Sequence, residues 1–174
     1  TGLARILKYD PRTRTTALPI LPVSKSSADQ RKGRCGRLEN GICVRLFSRQ
    51  NYEERPMYTP PEILRANLSE VILRMIGLDL GDIKNFPFID PPPSRQVKDG
   101  FDMLFELGAI QSGAGGKQGK EKIFLTPKGR VMARIPLDPR LSRMLIEAAQ
   151  NDCLDAAAVI VSALTIPDPK ERPE

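Results

Sequence analysis

The chain has 174 residues, of which 40% are hydrophobic and 28% charged, so it can form a packed core and is not a disordered chain. Aromatic residues make up 5% and tryptophan is absent, which argues against a wide base-stacking surface. Residues 1–60 carry 12 Lys and Arg against 5 Asp and Glu, whereas residues 61–174 carry 15 against 16. The basic excess therefore predicts that nucleotide phosphates or a nucleic-acid backbone bind to the first third of the chain.

The three cysteines, Cys35, Cys43 and Cys153, share no metal-ligand spacing, and the chain contains no histidine. A structural zinc site and a histidine-dependent triad are therefore disfavoured, and we expect free thiols and no metal site. No membrane-length apolar run and no signal peptide is visible, so we predict a cytoplasmic protein without a membrane partner. Because the sequence begins at Thr1 in ordered-looking sequence, we expect a fragment of a longer protein.

The first elements predict a β-hairpin. Residues 3–9 form a strand pattern, Asp10-Pro11-Arg12-Thr13 is a turn signal, and residues 15–23 are rich in β-branched and apolar side chains. Two prolines in the second arm favour an edge position. We expect the hairpin to protrude from a sheet with Arg12 and Arg14 near its tip, although a plain surface hairpin is the alternative.

The stretch Ser24–Arg37 reads SKSSADQRKGRCGR and predicts a helix capped by Ser26 or Ser27. Three arginines recur at a spacing of three, and the glycines between them allow a close approach to the backbone: Arg31, Gly33, Arg34, Gly36, Arg37. On a helix, Arg34 and Arg37 would share one face, and guanidinium groups match phosphate oxygens. The alternative is a solvated basic helix start, but the order of residues is more specific than a charge run.

Two further patterns complete the first third of the chain. Residues 41–47 are mostly apolar and follow a turn, which predicts a strand of a covered sheet. Residues 48–58 are polar and allow a short helix at most. Strand, hairpin, helix and strand together fit the end of an α/β domain.

The middle of the chain predicts two helices and a second hairpin. Thr59-Pro60-Pro61-Glu62 resembles a capping box, and apolar residues at helical spacing continue to Ile76, with Gly77 ending the helix. Residues 80–86 could add one helical turn. The prolines at 91–93 end the preceding element. Ser94 could then cap a helix that ends at Gly108.

After this helix, residues 109–110 and 123–125 predict two short strands around a flexible basic loop. Helix, helix and hairpin is the layout of a winged helix, which raises a DNA-reading hypothesis for the loop lysines Lys117, Lys120 and Lys122. We rank this hypothesis lower, because the region is slightly acidic overall. Downstream, Thr126 and Asp138 could each cap a helix, and a last helix is expected at about 154–164.

Several of these motifs resemble a known family. Gln30–Arg37 resembles the last conserved motif of superfamily 2 helicases, in the form typical of the DEAH-box branch. The segments 9–12 and 22–28 resemble the hairpin insert of those proteins, 61–68 their winged-helix start, and 125–130 and 136–141 the link into their ratchet-like domain. Phrases at 80–83 and 106–110 are most similar to bacterial HrpA-type RNA helicases, and the resemblance covers nearly the whole chain.

The resemblance implies roles for the basic stretch. Arg34 and Arg37 would be arginine fingers on the γ-phosphate of ATP, and Gln30 would lie near that phosphate and the attacking water. Arg31 would make a structural contact. Arg12 and Arg14 would contact the phosphates of an RNA strand, with DNA as an alternative, in a hairpin that acts as a wedge.

The resemblance also implies a fold and a division of labour. We expect an α/β fragment followed by a mainly α region: residues 1–58 as the end of a second RecA-like domain, 59–135 as a winged helix, and 136–174 as the start of a helical ratchet-like domain. No GxxxxGK[ST] loop and no Asp-Glu-Ala-His box occurs in these residues. The chain alone should therefore be inactive, with Mg²⁺ held by an upstream domain.

The function implied is that of an ATP-dependent RNA helicase that moves in the 3′-to-5′ direction and works with the other helicase domains of the same protein. A non-enzymatic winged-helix module that binds nucleic acid is the main alternative, and a protein–protein docking domain is a weaker one.

Overall fold

The computed structural model describes residues 2–113 and 122–166. In this part of the chain it contains seven α-helices, one 3-10 helix and three two-stranded sheets, so the mixed α/β class is confirmed. Two compact units are formed, the first by Thr1–Asn67 with Ile89–Pro92 and the second by Leu68–Phe88 with Pro93–Glu174. None of the described helices has the length and apolar character needed to cross a membrane. Lys117 and Lys120 of the expected wing lie outside the described residues.

The first unit opens with the predicted hairpin, which is formed by two short antiparallel ladders. Its strands are β1 (Leu3–Arg5), β2 (Lys8–Asp10), β3 (Thr15–Ala17) and β4 (Ile20–Pro22). β1 pairs with β4 and β2 pairs with β3, and the backbone N–H of Ile6 donates to the carbonyl of Pro19 (3.1 Å) between the ladders. Each sheet has only two strands among the described residues, so the wider sheet that we expected behind the hairpin is not formed there.

Helix α1 (Lys25–Lys32) follows, but its cap differs from the prediction. Ser24, rather than Ser26 or Ser27, is the N-cap, and its hydroxyl accepts from the backbone N–H of Ser27 (3.3 Å). The next two N–H groups, of Lys25 and Ser26, donate to the carbonyls of Pro56 (2.9 Å) and Met57 (2.9 Å). The start of α1 is therefore attached to a distant segment, which satisfies donors that a helix end leaves unpaired.

The prediction that Arg34 and Arg37 lie on a helix is wrong. α1 ends at Lys32, and the N–H of Arg34 donates to the carbonyl of Arg31 (3.1 Å), which is the tighter spacing of a turn. Gly36 has φ of +78°, a conformation that few residues other than glycine adopt. The helix therefore ends at its C-cap, Gly33, and both arginines lie in the turn beyond it.

The prediction of a strand at residues 41–47 is also wrong. The segment is not part of any ladder among the described residues, and its apolar side chains are exposed, by 90% for Ile42 and 76% for Val44. A strand needs a neighbour to satisfy its backbone groups, and no described strand lies beside this segment. The short helix predicted next is confirmed as α2 (Arg49–Glu53), with Ser48 as its N-cap.

Arg55, which follows α2, is 7% exposed and joins several parts of the first unit. Its Nη1 donates to the carbonyls of Gly2 (2.9 Å) and Val23 (3.2 Å), at the base of the hairpin. Nε and Nη2 donate to Oδ1 of Asn51 (3.0 and 2.7 Å), and the guanidinium lies 3.9 Å from the ring centroid of Phe47. One side chain therefore connects the hairpin, α2 and the segment before α2.

The single helix predicted from Thr59 to Gly77 is divided in two. A 3-10 helix covers Glu62–Leu64, and α3 covers Ser69–Gly77. The capping box is absent, because Thr59 donates its hydroxyl to Ser24 Oγ (3.2 Å) instead. The carbonyl of Arg65 accepts from the N–H of Tyr9 (2.8 Å), and these contacts with the hairpin and α1 hold the chain out of helical geometry.

The second unit is built on two helices and a hairpin: α3, α4 (Ser94–Glu106), β5 (Ile110–Gly113) and β6 (Lys122–Leu125). The two strands are antiparallel, which confirms the second predicted hairpin. Pro93 rather than Ser94 is the N-cap of α4, and residues 80–86 form turns instead of a helix. A Cβ on Gly100 would lie 2.7 Å from Ile72 Cδ1, so this glycine permits the close approach of α3 and α4.

Three more helices complete the described residues: α5 (Pro127–Met132), α6 (Pro139–Gln150) and α7 (Leu154–Thr165). The caps predicted at Thr126 and Asp138 are confirmed. Most buried apolar residues belong to this unit, including Ile72, Leu104 and Met132. Two large apolar side chains of these helices remain exposed, Phe105 on α4 at 40% and Met144 on α6 at 41%.

We expect Arg55→Lys to destabilise the first unit by about 1.5–3 kcal/mol, because an ammonium group cannot replace the forked donors of a buried guanidinium. All three tyrosines of the chain, Tyr9, Tyr52 and Tyr58, lie in this unit, so tyrosine fluorescence during urea unfolding reports on it selectively. Arg49→Lys is the control, since Arg49 is exposed and pairs with Glu53 on its own helix. Equal unfolding midpoints for the two variants would contradict the role of Arg55.

We expect Gly129→Ala to destabilise the second unit by about 1–3 kcal/mol through overpacking. A Cβ at this position would lie 1.9 Å from the carbonyl oxygen of Ala109, so α5 or β5 would have to move. Gly77→Ala is the matched control, because its Cβ would meet nothing closer than 3.4 Å. Far-UV circular dichroism during urea unfolding measures both variants, and a Gly129→Ala midpoint at or above that of Gly77→Ala would refute the packing argument.

Candidate functional site

The candidate site is the C-terminal end of α1 and the turn that follows it. Gln30 lies in the last turn of α1, and Arg34 and Arg37 lie in the turn beyond Lys32. All three side chains are exposed. The structure therefore places these three residues within one short stretch of surface, with the two arginines on a turn rather than on one helical face.

Arg34 and Arg37 differ from most arginines of the first unit, since neither forms an ion pair or a side-chain hydrogen bond among the described residues. The neighbouring arginines are engaged: Arg45 pairs with Asp29, Arg55 binds two carbonyls, and Arg65 donates to the carbonyl of Leu7 (3.0 Å). Exposed guanidinium donors that the fold does not use are suited to bind an external anion.

Arg31 makes the structural contact that the resemblance implies. Its Nη1 and Nη2 lie 3.4 and 3.5 Å from the carbonyl oxygen of Leu3 on β1. Arg31 and Lys32 also lie in the last turn of α1, where positive charge interacts favourably with the helix dipole. The first arginine of the motif therefore attaches the helix to the hairpin.

Asp29, immediately before Gln30, holds the end of α1 from the other side. Its Oδ2 accepts from the Tyr52 hydroxyl on α2 (2.8 Å), and its Oδ1 accepts from the guanidinium of Arg45. The Arg45 guanidinium also lies 4.1 Å from the ring centroid of Tyr52. These three side chains, which we call the Asp29 cluster, connect α1, α2 and residues 41–47, which we call the extended segment.

The hydrogen bond from Tyr52 lowers the pKa of Asp29 below its ordinary value, and Arg45 and the charge of Lys32 act in the same direction. Partial removal of the carboxylate from water opposes this change but does not outweigh it. The carboxylate is therefore ionised throughout the physiological pH range.

A cavity of about 540 Å³ lies beside the turn, lined by Asp29, Lys32, Gly33, Cys35, Gly41 and Cys43. The extended segment approaches the turn closely here, because a Cβ on Gly41 would lie 2.6 Å from the N of Gly36. Cys35, Cys43 and Cys153 are free and exposed, as predicted. Across residues 2–113 and 122–166, no three Cys, Asp or Glu side chains are grouped so that they could hold a metal ion.

The other predicted site residues, Arg12 and Arg14, lie at the tip of the first hairpin, between β2 and β3. Arg12 is exposed, and its backbone N–H donates to Oδ1 of Asp10 (2.9 Å). Arg14 is half-buried and has φ of +52°, which is uncommon for a residue other than glycine. Their placement at the tip is as expected, and their contact with nucleic acid stays a prediction.

The sequence reasoning missed the Asp29 cluster and Arg55. One signal for Asp29 was present, since it is the only acidic residue between Ser24 and Arg37, among five basic ones. A lone carboxylate in such a stretch is a candidate for a structural role. No spacing rule links Asp29 with Arg45 or Tyr52, because these contacts depend on tertiary structure.

We expect Tyr52→Phe to raise the pKa of Asp29, because the variant removes the hydroxyl that lowers it most. In the parent chain the folded pKa lies below the unfolded value of about 3.9. The stabilisation by Asp29 is therefore complete above that pH and is lost as the pH falls through the folded pKa. A titration of the Asp29 carboxyl by ¹³C NMR measures this, and an unchanged pKa in Tyr52→Phe would contradict it.

The chain is similar to proteins of one family over nearly its whole length. It is 51% identical over 172 residues to the ATP-dependent RNA helicase HrpA of Escherichia coli, and 34% identical to the probable ATP-dependent RNA helicase DHX34 of Mus musculus. Each match covers 99% of this chain, which spans only 13% and 14% of the length of these relatives.

The structure gives the same result. The crystal structure of the Escherichia coli DEAH/RHA helicase HrpB matches 97% of this chain with a TM-score of 0.82 and 32% identity, and the chain covers 20% of that protein. Residues 138–174 match the family model of the ratchet-like helicase-associated domain, HA2. The chain is therefore homologous, over nearly its whole length, to a short segment of HrpA- and HrpB-type DEAH/RHA helicases.

Proposed function

We propose that this chain acts as part of an ATP-dependent RNA helicase, in which it supplies the arginine fingers of the ATP site. The single observation that carries the proposal is the exposed turn after α1, where Arg34 and Arg37 make no ion pair among the described residues while nearby arginines are engaged. The relatives are named as an ATP-dependent RNA helicase and a probable one, which supports ATP hydrolysis as the reaction.

The chemistry of the turn fits the phosphates of ATP. Phosphoryl transfer depends mainly on positioning and on neutralising charge at the transferred group, and an arginine finger can contribute about 10³–10⁵ in rate. We assign Arg34 and Arg37 to the γ-phosphate oxygens, and Gln30 to the orientation of the attacking water. Bound ATP with Mg²⁺ would supply the reactive phosphoryl group, and the metal would be held by a domain outside these residues.

The other parts of the chain take supporting roles in this proposal. The hairpin with Arg12 and Arg14 at its tip contacts the phosphates of the RNA strand and separates it during 3′-to-5′ movement. Helices α3 and α4 with β5 and β6 form the winged-helix region, and α6 and α7 begin the ratchet-like domain. The order of these elements and the match of residues 138–174 support this division. The cytoplasm is the compartment that we infer for such an enzyme.

We expect Arg37→Ala in the intact helicase to lower the RNA-stimulated ATPase rate by about 10³-fold. The reason is that the variant removes a positive charge that neutralises the negative charge on the transferred phosphoryl group. Steady-state ATP hydrolysis with saturating RNA measures the effect. Arg49→Ala is the matched control, since Arg49 is also an exposed arginine of the first unit and pairs with Glu53 on α2. Hydrolysis within a few-fold of the parent rate for Arg37→Ala would refute the finger assignment.

A further inference from the structure

We propose that Asp29 is a positioning residue for the arginine-bearing turn, and that it acts through Tyr52 and Arg45. This inference deepens the proposed function and rests on it. The Asp29 carboxylate contacts Tyr52 and Arg45, and not Arg34 or Arg37, among the described residues. Its influence on the reaction would come from fixing where the turn lies.

The first step of the argument is the position of Asp29 on the helix. Gln30 is its direct neighbour, and the backbone N–H of Gly33, the residue that ends α1, donates to the carbonyl of Asp29 (2.8 Å). Asp29 is therefore part of the last hydrogen-bonded turn before Arg34. A displacement of this residue would be transmitted directly to the start of the arginine turn.

The second step is that both oxygens of the Asp29 carboxylate are used by different segments. Tyr52 donates to Oδ2 from α2 (2.8 Å), and Arg45 donates to Oδ1 from the extended segment. The Arg45 guanidinium lies against the Tyr52 ring, so each partner restricts the other. An isolated surface ion pair contributes little and adopts many geometries, whereas three mutually restricted side chains define one arrangement.

The third step is the contact between the extended segment and the turn. Gly41, four residues before Arg45, approaches Gly36 so closely that an added Cβ would lie 2.6 Å from its N and 2.9 Å from Cys35 Cβ. The turn is therefore held at one end by α1 and on one side by the segment that Arg45 attaches to Asp29. If the cluster is broken, both supports of the turn are loosened together.

The experiment compares Asp29→Asn and Tyr52→Phe with the control Glu53→Gln in the intact helicase. Glu53 lies on α2 next to Tyr52, but its carboxylate pairs with Arg49 and not with the cluster. For Asp29→Asn we expect kcat of the RNA-stimulated ATPase to fall by about 10- to 100-fold, as for a catalytic group displaced by about 1 Å. KM for ATP should change less than about threefold, because the turn acts mainly in the transition state.

A second measurement separates positioning from simple loss of folded protein. Affinity for ADP with aluminium fluoride, which mimics the transferred phosphoryl group, should weaken by a factor similar to the fall in kcat, while affinity for ADP alone should not change. A loss of folded molecules lowers the number of sites but alters neither dissociation constant. Tyr52→Phe should show the same pattern with a smaller change, because Arg45 remains in place.

A double-variant comparison distinguishes this inference from the proposed function. In an Arg34→Ala and Arg37→Ala background, Asp29→Asn should cause no further loss of rate, since there are no fingers left to position. If Arg37→Ala lowers the rate but Asp29→Asn behaves like Glu53→Gln, the positioning role is wrong and the finger assignment stands. If Arg37→Ala has no effect, the proposed function itself fails.

Discussion

The first unit depends on the hydrogen bonds of one buried cation, Arg55. Apart from Tyr9, Val23 and Ala28, few described apolar residues of this unit are buried, so hydrophobic packing contributes less here than in the second unit. The guanidinium instead binds the carbonyls of Gly2 and Val23, which flank the paired ends of the hairpin. A buried charge with five donors is stable only if those donors are used, and here carbonyls, Asn51 and the Phe47 ring surround it.

This constraint extends to the candidate site through the backbone. Pro56 and Met57, directly after Arg55, supply the carbonyls that accept from the first N–H groups of α1. The start of α1 is therefore fixed relative to Arg55. Its end is fixed by the hydrogen bond from Arg31 to the hairpin and by the Asp29 cluster. A helix held at both ends delivers the following turn to a defined place, which is what a group acting on a transition state requires.

The sequence predicted those features that depend on local chemistry. The hairpin turn at Asp10-Pro11 and the caps at Thr126 and Asp138 each follow from residues within a few positions of one another. These predictions succeed because turn and cap preferences act over one or two turns of chain. The roles of the site residues Gln30, Arg34 and Arg37 stay a prediction.

The predictions failed where distant partners compete with local preference. Thr59 had the sequence of a capping residue, but its hydroxyl is bonded to Ser24, and Arg65 is bonded to the hairpin, so the predicted helix begins later at Ser69. α1 ends at its C-cap, Gly33, before Arg34, and the positive φ of Gly36 lies within the turn that follows. The spacing of the arginines therefore did not show where the helix ends.

At residues 41–47 a local preference fails because no described strand lies beside the segment. Its sequence is suited to a strand, yet Ile42, Val44 and Leu46 are mostly exposed because the described residues offer no neighbouring strand. The second half of the segment nevertheless keeps a defined path, since Arg45 binds Asp29 and Phe47 lies against Arg55. Two arginine contacts thus hold in place a segment that cannot hold itself by strand pairing.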